Sequence, residues 1–247
     1  MDVMQRRLLT AGAVICALAA IPSLASADVV EIGKLDPNVK SSCPGPVPKC
    51  YAFVRATGYQ AKVGTTRGLM TVPADGRIVA FTVGLGKPGP KQVDFFTNGT
   101  NKFGAPSVQL TILDPKRKLR ARAVAQSEAF PVTPYFGTVA QFPLTKSVAV
   151  KKGQIVAITS TTWAPILATG LGTDTSWRAS RAKGSCSDVA TQTAQTQPNE
   201  LTQYYCIYPT ARVNYSATLI TNPVVPTTPT TTPKKTTTTP KKTTTKK

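Results

Sequence analysis

Between Tyr51 and Ile220 the chain returns again and again to one pattern: a short run of β-branched, aromatic and aliphatic residues, ended by glycine, proline, asparagine or aspartate. Few windows carry the 3.6-residue apolar period of a helix, so the pattern restricts the fold to strands joined by turns. Tyr51 to Thr57 is the first run, and Gly76 to Val83 follows the turn residues Pro73-Ala74-Asp75-Gly76. Val93 to Thr97 meets Asn98-Gly99, a dipeptide that tolerates positive φ at both positions and so suits a hairpin. Ser107 to Leu113 alternates well and stops at Asp114-Pro115. Leu119 to Gln126, Gly137 to Phe142 and Ser147 to Val150 come next. Lys151-Lys152-Gly153 turns the chain into Gln154 to Thr161, and Arg212 to Ile220 closes the series. About nine short strands at this spacing give an all-β fold, a two-sheet β-sandwich of jelly-roll type.

Both ends depart from this pattern. Arg6 and Arg7 precede an uncharged run from Leu8 to Leu24, and Ala25-Ser26-Ala27 offers the small side chains a signal peptidase accepts. Pro22 and Ser23 interrupt the run before the roughly 20 apolar residues of a spanning helix, so residues 1–27 are expected to be a cleaved signal peptide rather than a transmembrane anchor. Cys16 follows the bulky Ile15, which argues against lipidation, and the Arg6-Arg7 pair is only a faint echo of a twin-arginine signal. After Thr221 the composition narrows to Thr, Pro and Lys with two Val and one Asn, and Thr-Thr-Pro-Lys-Lys occurs at Thr231 and again at Thr238. With almost no apolar surface to offset ordering entropy, residues 222–247 are expected to form a disordered, lysine-stiffened spacer with the composition of a glycosylated stalk. That leaves residues 28–221 as one domain, secreted or held at the cell wall.

Histidine is absent, which removes Ser-His-Asp and Cys-His catalysis and every histidine-ligated metal site. Cys43, Cys50, Cys186 and Cys206 form an even set in an exported chain and imply two disulfides, with three connectivities open. Cys43–Cys50 and Cys186–Cys206 are favoured: the first pair encloses a proline-rich loop, Pro44 to Lys49, and the second ties down Ser187 to Tyr205, a polar stretch without a strand pattern of its own. Zinc would need paired C-x₂-C knuckles, which are missing.

The formal charge is +19, from 30 Lys+Arg and 11 Asp+Glu. Six of these charges are tail lysines and one is the balance of Arg6, Arg7 and Asp2, leaving the domain at +12. Such a chain is attracted to polyanions, and for an exported protein the expected partners are anionic cell-wall or surface polymers or glycans rather than nucleic acid. The densest basic segment is Lys116, Arg117, Lys118, Arg120 and Arg122. Strand alternation puts Arg120 and Arg122 on one face and Leu119, Ala121 and Ala123 on the other, forming either a solvated strand face or an anion-binding stripe. Trp177, Tyr204 and Tyr205 are candidates for a sugar-stacking platform, Trp177 because its neighbours are polar; Trp163, beside Ala164-Pro165-Ile166, is assigned to the core.

Two catalytic patterns fail on context. Gly84-Leu85-Gly86-Lys87-Pro88-Gly89 matches the dinucleotide fingerprint, but the residues after it read as strand where a helix is required. Ser180-x-x-Lys183 lacks the partner motifs of serine–lysine enzymes. The domain's ten acidic residues are scattered, without the clustering a calcium site needs. No cofactor is implied. A histidine-free hydrolase built on two carboxylates distant in sequence is an alternative.

The segments Asp75-Gly76-x-Ile78, Leu110-x-Ile112-Leu113, Gln126-Ser127, Phe136-Gly137, Val148-x-Val150-x-x-Gly153-Gln154-x-Val156-Ala157 and Thr162-Trp163-Ala164-Pro165 resemble those of uncharacterised secreted bacterial proteins with a jelly-roll-like sandwich. The resemblance implies export and a β-sandwich over most of residues 50–220, and no activity. The expected function is that of a noncatalytic secreted protein held near the envelope by charge, with a carbohydrate-binding module as the alternative.

Overall fold

The computed structural model describes residues 26–35, 40–41, 43, 46–47, 50–99, 102–187 and 193–223. The signal-peptide and tail assignments, and residues 44–45, 48–49 and 188–192 of the two cysteine loops, lie outside the described residues. Ala27–Pro223 forms a compact unit, and its fold is an all-β sandwich.

In chain order the elements are β1 (Val29–Ile32), β2 (Phe53–Val63), β3 (Thr66–Arg67), β4 (Gly76–Gly84), α1 (Pro90–Thr97), β5 (Ser107–Lys116), β6 (Arg120–Gln126), β7 (Phe130–Pro131) and β8 (Val139–Val150). They continue with β9 (Ile155–Ala164), β10 (Leu167–Thr169), β11 (Ser176–Ala179), β12 (Leu201–Gln203), β13 (Cys206–Pro209), β14 (Ala211–Val213) and β15 (Tyr215–Thr221). One sheet runs β1-β15-β4-β8; the larger runs β12-β6-β5-β9-β2-β11-β13, with β3 on β2 and β7 on β5. Every pairing in them is antiparallel.

The sandwich core lies between the two sheets. Ile78, Phe81 and Val83 of β4 and Val148 and Val150 of β8 join Leu110 and Ile112 of β5, Val156 and Ile158 of β9, and Phe53 of β2 in one buried cluster. Alternation then sends Thr57, Thr111 and Thr159 to the opposite face of the larger sheet. That face would need water if it were open, yet all three threonines are fully buried. The larger sheet curls: its edge strands β12 and β13 are consecutive in sequence, separated only by Tyr204 and Tyr205. Inside the curl the Thr159 hydroxyl lies 2.7 Å from both the Thr57 and the Thr111 hydroxyls. Gln195 fills the remaining space, its backbone N–H on the Thr57 hydroxyl and its side-chain amide donating to the carbonyls of Ala121 and Glu200. The three threonine hydroxyls and the Gln195 side chain thereby each meet a partner, as burial favours.

Several strands differ from the sequence expectation. Val93–Thr97 belongs to helix α1, and Asn98 is its C-cap rather than a hairpin residue. Pro90 at N1 and the Gln92 side chain, which accepts the Gly89 N–H, nucleate this apolar-faced helix against the sheet. β5 continues through Asp114 and Pro115 to Lys116, because Pro115 needs no ladder donor there. The two runs expected at Gly137–Phe142 and Ser147–Val150 are one strand, β8. Ala80 pairs with Pro143 and Ile78 with Val148, so the residues between are a bulge rather than a break. The backbone N–H of Thr145 in that bulge donates to Glu128 Oε1 at 2.7 Å, which holds the Glu128 carboxyl below its ordinary range. The closing run splits at Asn214 into β14 and β15, and the Asn214 N–H turns away to the Ile166 carbonyl. Gly84 makes that split fit: a Cβ there would stand 2.2 Å from Asn214 Nδ2. Within the stretch from Ser187 to Tyr205, Leu201–Gln203 does form a strand, β12, paired to β6.

Candidate functional site

The basic segment is a hairpin between β5 and β6. Its turn is closed by the Arg120 N–H on the Arg117 carbonyl, with Lys118 (φ 60) and Leu119 (φ 56) both in the left-handed region. Ala121 and Ala123 face inward and Arg120 outward, as alternation requires. Leu119 does not join the inner face; the turn swings it out, and it is 43% exposed. Arg122 is drawn into the sheet by a bond from Nη1 to the Asn199 carbonyl, 2.6 Å. Lys116 pairs with Asp114 at 2.6 Å, the one ion pair formed between described residues. Arg117, Lys118 and Arg120 stand exposed at the tip with no acceptor engaged among the described residues.

The aromatic platform is corrected. Trp177 is only 5% exposed, held between Phe53 (5.1 Å between centroids) and Tyr208 (4.5 Å). Its polar sequence neighbours are misleading because adjacent strand residues point to opposite faces. Tyr204 is buried where it stoppers the curled sheet, its ring 5.5 Å from Tyr59 and its hydroxyl donating to Gln195 Oε1. Burial pushes the Tyr204 hydroxyl well above the ordinary tyrosine range. Tyr205 alone of the three is exposed, and the Lys183 ammonium lies 6.0 Å above its ring. Trp163 is fully buried, stacked on Phe96 at 4.8 Å and donating its indole N–H to the Gly104 carbonyl.

Disulfides join Cys43 to Cys50 and Cys186 to Cys206, compatible with an oxidising extracellular environment. Both contribute to the wall of a cleft of about 680 Å³ lined by Tyr51, Phe96, Phe103, Trp177, Arg181 and Tyr208 among others. Arg181 is 6% exposed. Its backbone is fixed on both sides, its carbonyl accepting from Tyr205 and the preceding Ser180 N–H donating to the Thr57 carbonyl. The guanidinium gives Nη1 to the Tyr208 hydroxyl (2.7 Å) and the Cys186 carbonyl (3.2 Å), and Nη2 to the Val54 carbonyl (3.3 Å). These acceptors are all neutral, Nε has none, and among the described residues no Asp or Glu lines the cleft.

No family model, curated protein or solved structure matches the chain.

The tempting motifs are structural. A helix does follow the Gly84–Gly89 loop, contrary to the strand expectation, but Pro90 has no N–H to offer and the Gly89 N–H is taken by Gln92. Among the described residues no parallel strand follows it, so the loop lacks the βαβ setting of the dinucleotide fingerprint. Ser180 Oγ accepts the Thr57 N–H at 2.9 Å and is buried, a strand-end anchor. Glu31 accepts from Ser216 and Thr218, and Asp75 from the Lys152 N–H, so these carboxylates serve the fold. Among the described residues no group of three or more metal-ligating side chains converges, and no helix is long and apolar enough to cross a membrane. Arg181 was not singled out by sequence. Nothing local separates it from the exposed cations; its burial arises because β13 returns across it.

Proposed function

We propose that the protein is a noncatalytic extracellular protein that adsorbs to anionic envelope polymers through its basic hairpin, aided by its lysine-rich tail. The observation that supports this reading is the hairpin tip, where Arg117, Lys118 and Arg120 project with no carboxylate engaging them. Free cations on a projecting turn attract polyanions by screened Coulomb forces, and at physiological salt the screening length is about 8 Å. The domain's +12 charge extends the same field.

The test is sedimentation with isolated cell walls across a salt series. The protein is compared with the variant Arg117→Ser/Lys118→Ser/Arg120→Ser and with a form ending at Thr221. Retention should fall steeply with salt and drop in both altered forms. Salt-independent retention, unchanged in either, would reject the electrostatic reading.

A further inference from the structure

We infer that the cleft between the two disulfides is a binding site for a small organic oxyanion carried on a flat apolar body, with Arg181 as its recognition cation. Two independent features of the cleft converge on this ligand class. The first is shape and lining: a cleft of about 680 Å³ has the volume of an ordinary small-molecule site. Its walls are lined by the largely buried rings of Phe96, Phe103 and Trp177 and by Tyr208, which is stacked on Trp177, with Tyr51 exposed. An aromatic lining of this kind favours a flat apolar ligand body over water.

The second feature is charge. A buried cation is ordinarily matched by a carboxylate, because desolvation is costly and neutral dipoles offset it incompletely. Arg181 is more than nine-tenths buried, and among the described residues its guanidinium donates only to two carbonyls and a phenol. It retains an unpartnered Nε–H. The five N–H groups of a guanidinium are arranged to grip a carboxylate or phosphate with two parallel bonds. An oxyanion entering the cleft supplies the missing counter-charge and an acceptor for the unengaged Nε–H. The network that positions Arg181, in which the Tyr208 hydroxyl also donates to the Cys186 carbonyl at 2.7 Å, holds the guanidinium beside the aromatic wall before any ligand arrives. That preorganisation lowers the cost of binding.

This site is separate from the basic hairpin, and its test does not depend on wall adsorption. The purified protein is titrated with benzoate, phenyl phosphate and the neutral benzamide, followed by calorimetry and by amide chemical shifts. Benzoate or phenyl phosphate should bind, with shifts gathered around Trp177, Arg181 and Tyr208, and the arm that binds tighter identifies the oxyanion. Benzamide should bind at least about tenfold more weakly, the discrimination expected of a charge-assisted pair. Arg181→Gln should erase that discrimination. Because this substitution touches the core, Tyr51→Ala at the exposed rim serves as the second variant and should weaken all the bound ligands together while keeping the preference for charge. The hairpin serine variant should bind as the parent does. Equal affinity for benzamide, shifts located away from the cleft, or no binding of any of the three at millimolar concentration would each overturn the inference.

Discussion

The ring of Tyr208 lies on that of Trp177 with centroids 4.5 Å apart and planes inclined by 22°. The same tyrosine receives Arg181 Nη1 and donates to the Cys186 carbonyl, both at 2.7 Å. One side chain therefore ties the aromatic wall, the buried cation and the loop closed by Cys186–Cys206. Replacing Tyr208 by Phe keeps the stack and deletes the hydroxyl. The guanidinium then loses an acceptor and the carbonyl a donor, so urea unfolding should show a loss of about 1–2 kcal/mol. Trp177→Ala removes the stack itself, and as a large-to-small change in a buried position should cost about 3–5 kcal/mol. Equal losses for the two would show that the hydroxyl, not the packing, dominates.

Non-reducing peptide mapping should recover Cys43 with Cys50 and Cys186 with Cys206. Changing the second pair to alanines should lower stability by about 2–4 kcal/mol, since it closes the longer loop and anchors the start of β13. Changing the first pair should cost less, because a loop of seven residues' separation gives back less unfolded-state entropy.

The buried hydroxyl chain offers a sharper test of the curled sheet. Thr159→Val is nearly isosteric but leaves Thr57 and Thr111 each without the neighbour they have at 2.7 Å. In an enclosed polar centre that omission should cost about 1–3 kcal/mol by denaturant titration. A neutral outcome would place water, not threonine partners, around these groups.

The sandwich was legible because its strands follow the simplest rule available, alternation interrupted by turn residues. The run Gly76–Val83 is β4, which extends one residue further, to Gly84. What was not legible depends on contacts distant in sequence. Val93 to Thr97 has strand-forming residues, yet Pro90 and Gln92 start a helix whose apolar face finds Phe103 and Trp163. Polar Ser176 and Arg178 suggested an exposed Trp177, and only the placement of β11 between β2 and β13 buries it. The basic hairpin was visible as a charge run, while its outward-turned Leu119 follows from two consecutive left-handed residues that composition does not announce. Arg181 is hidden for the converse reason: its distinction is that no described carboxylate meets it, a property of the folded neighbourhood alone.

Alkaline pH should destabilise the domain through tyrosines rather than through charge on its surface. Tyr204 and Tyr215 are held well above the ordinary tyrosine value of 10.0, chiefly because burial disfavours the phenolate, with repulsion from Tyr59 adding to it. Tyr59 itself is raised by burial, partly offset by Arg178. For a group whose folded value is raised, the stabilisation is complete below the unfolded value and is lost as pH climbs towards the folded one. Above about pH 10 the unfolded chain releases these protons while the folded chain retains them. Each such tyrosine then removes about 1.4 kcal/mol of stability per pH unit. Unfolding free energies measured from about pH 8 to about pH 11.5 should therefore be level at first and fall beyond about pH 10. Lysines also lose charge in that range, so the wild-type slope alone does not isolate the tyrosines. Tyr204→Phe does: it should begin lower, having lost the bond to Gln195 Oε1, and then fall less steeply by the contribution of one proton. If the two curves stay parallel through pH 11, Tyr204 ionises without unfolding, and the curled end of the larger sheet opens to water on its own.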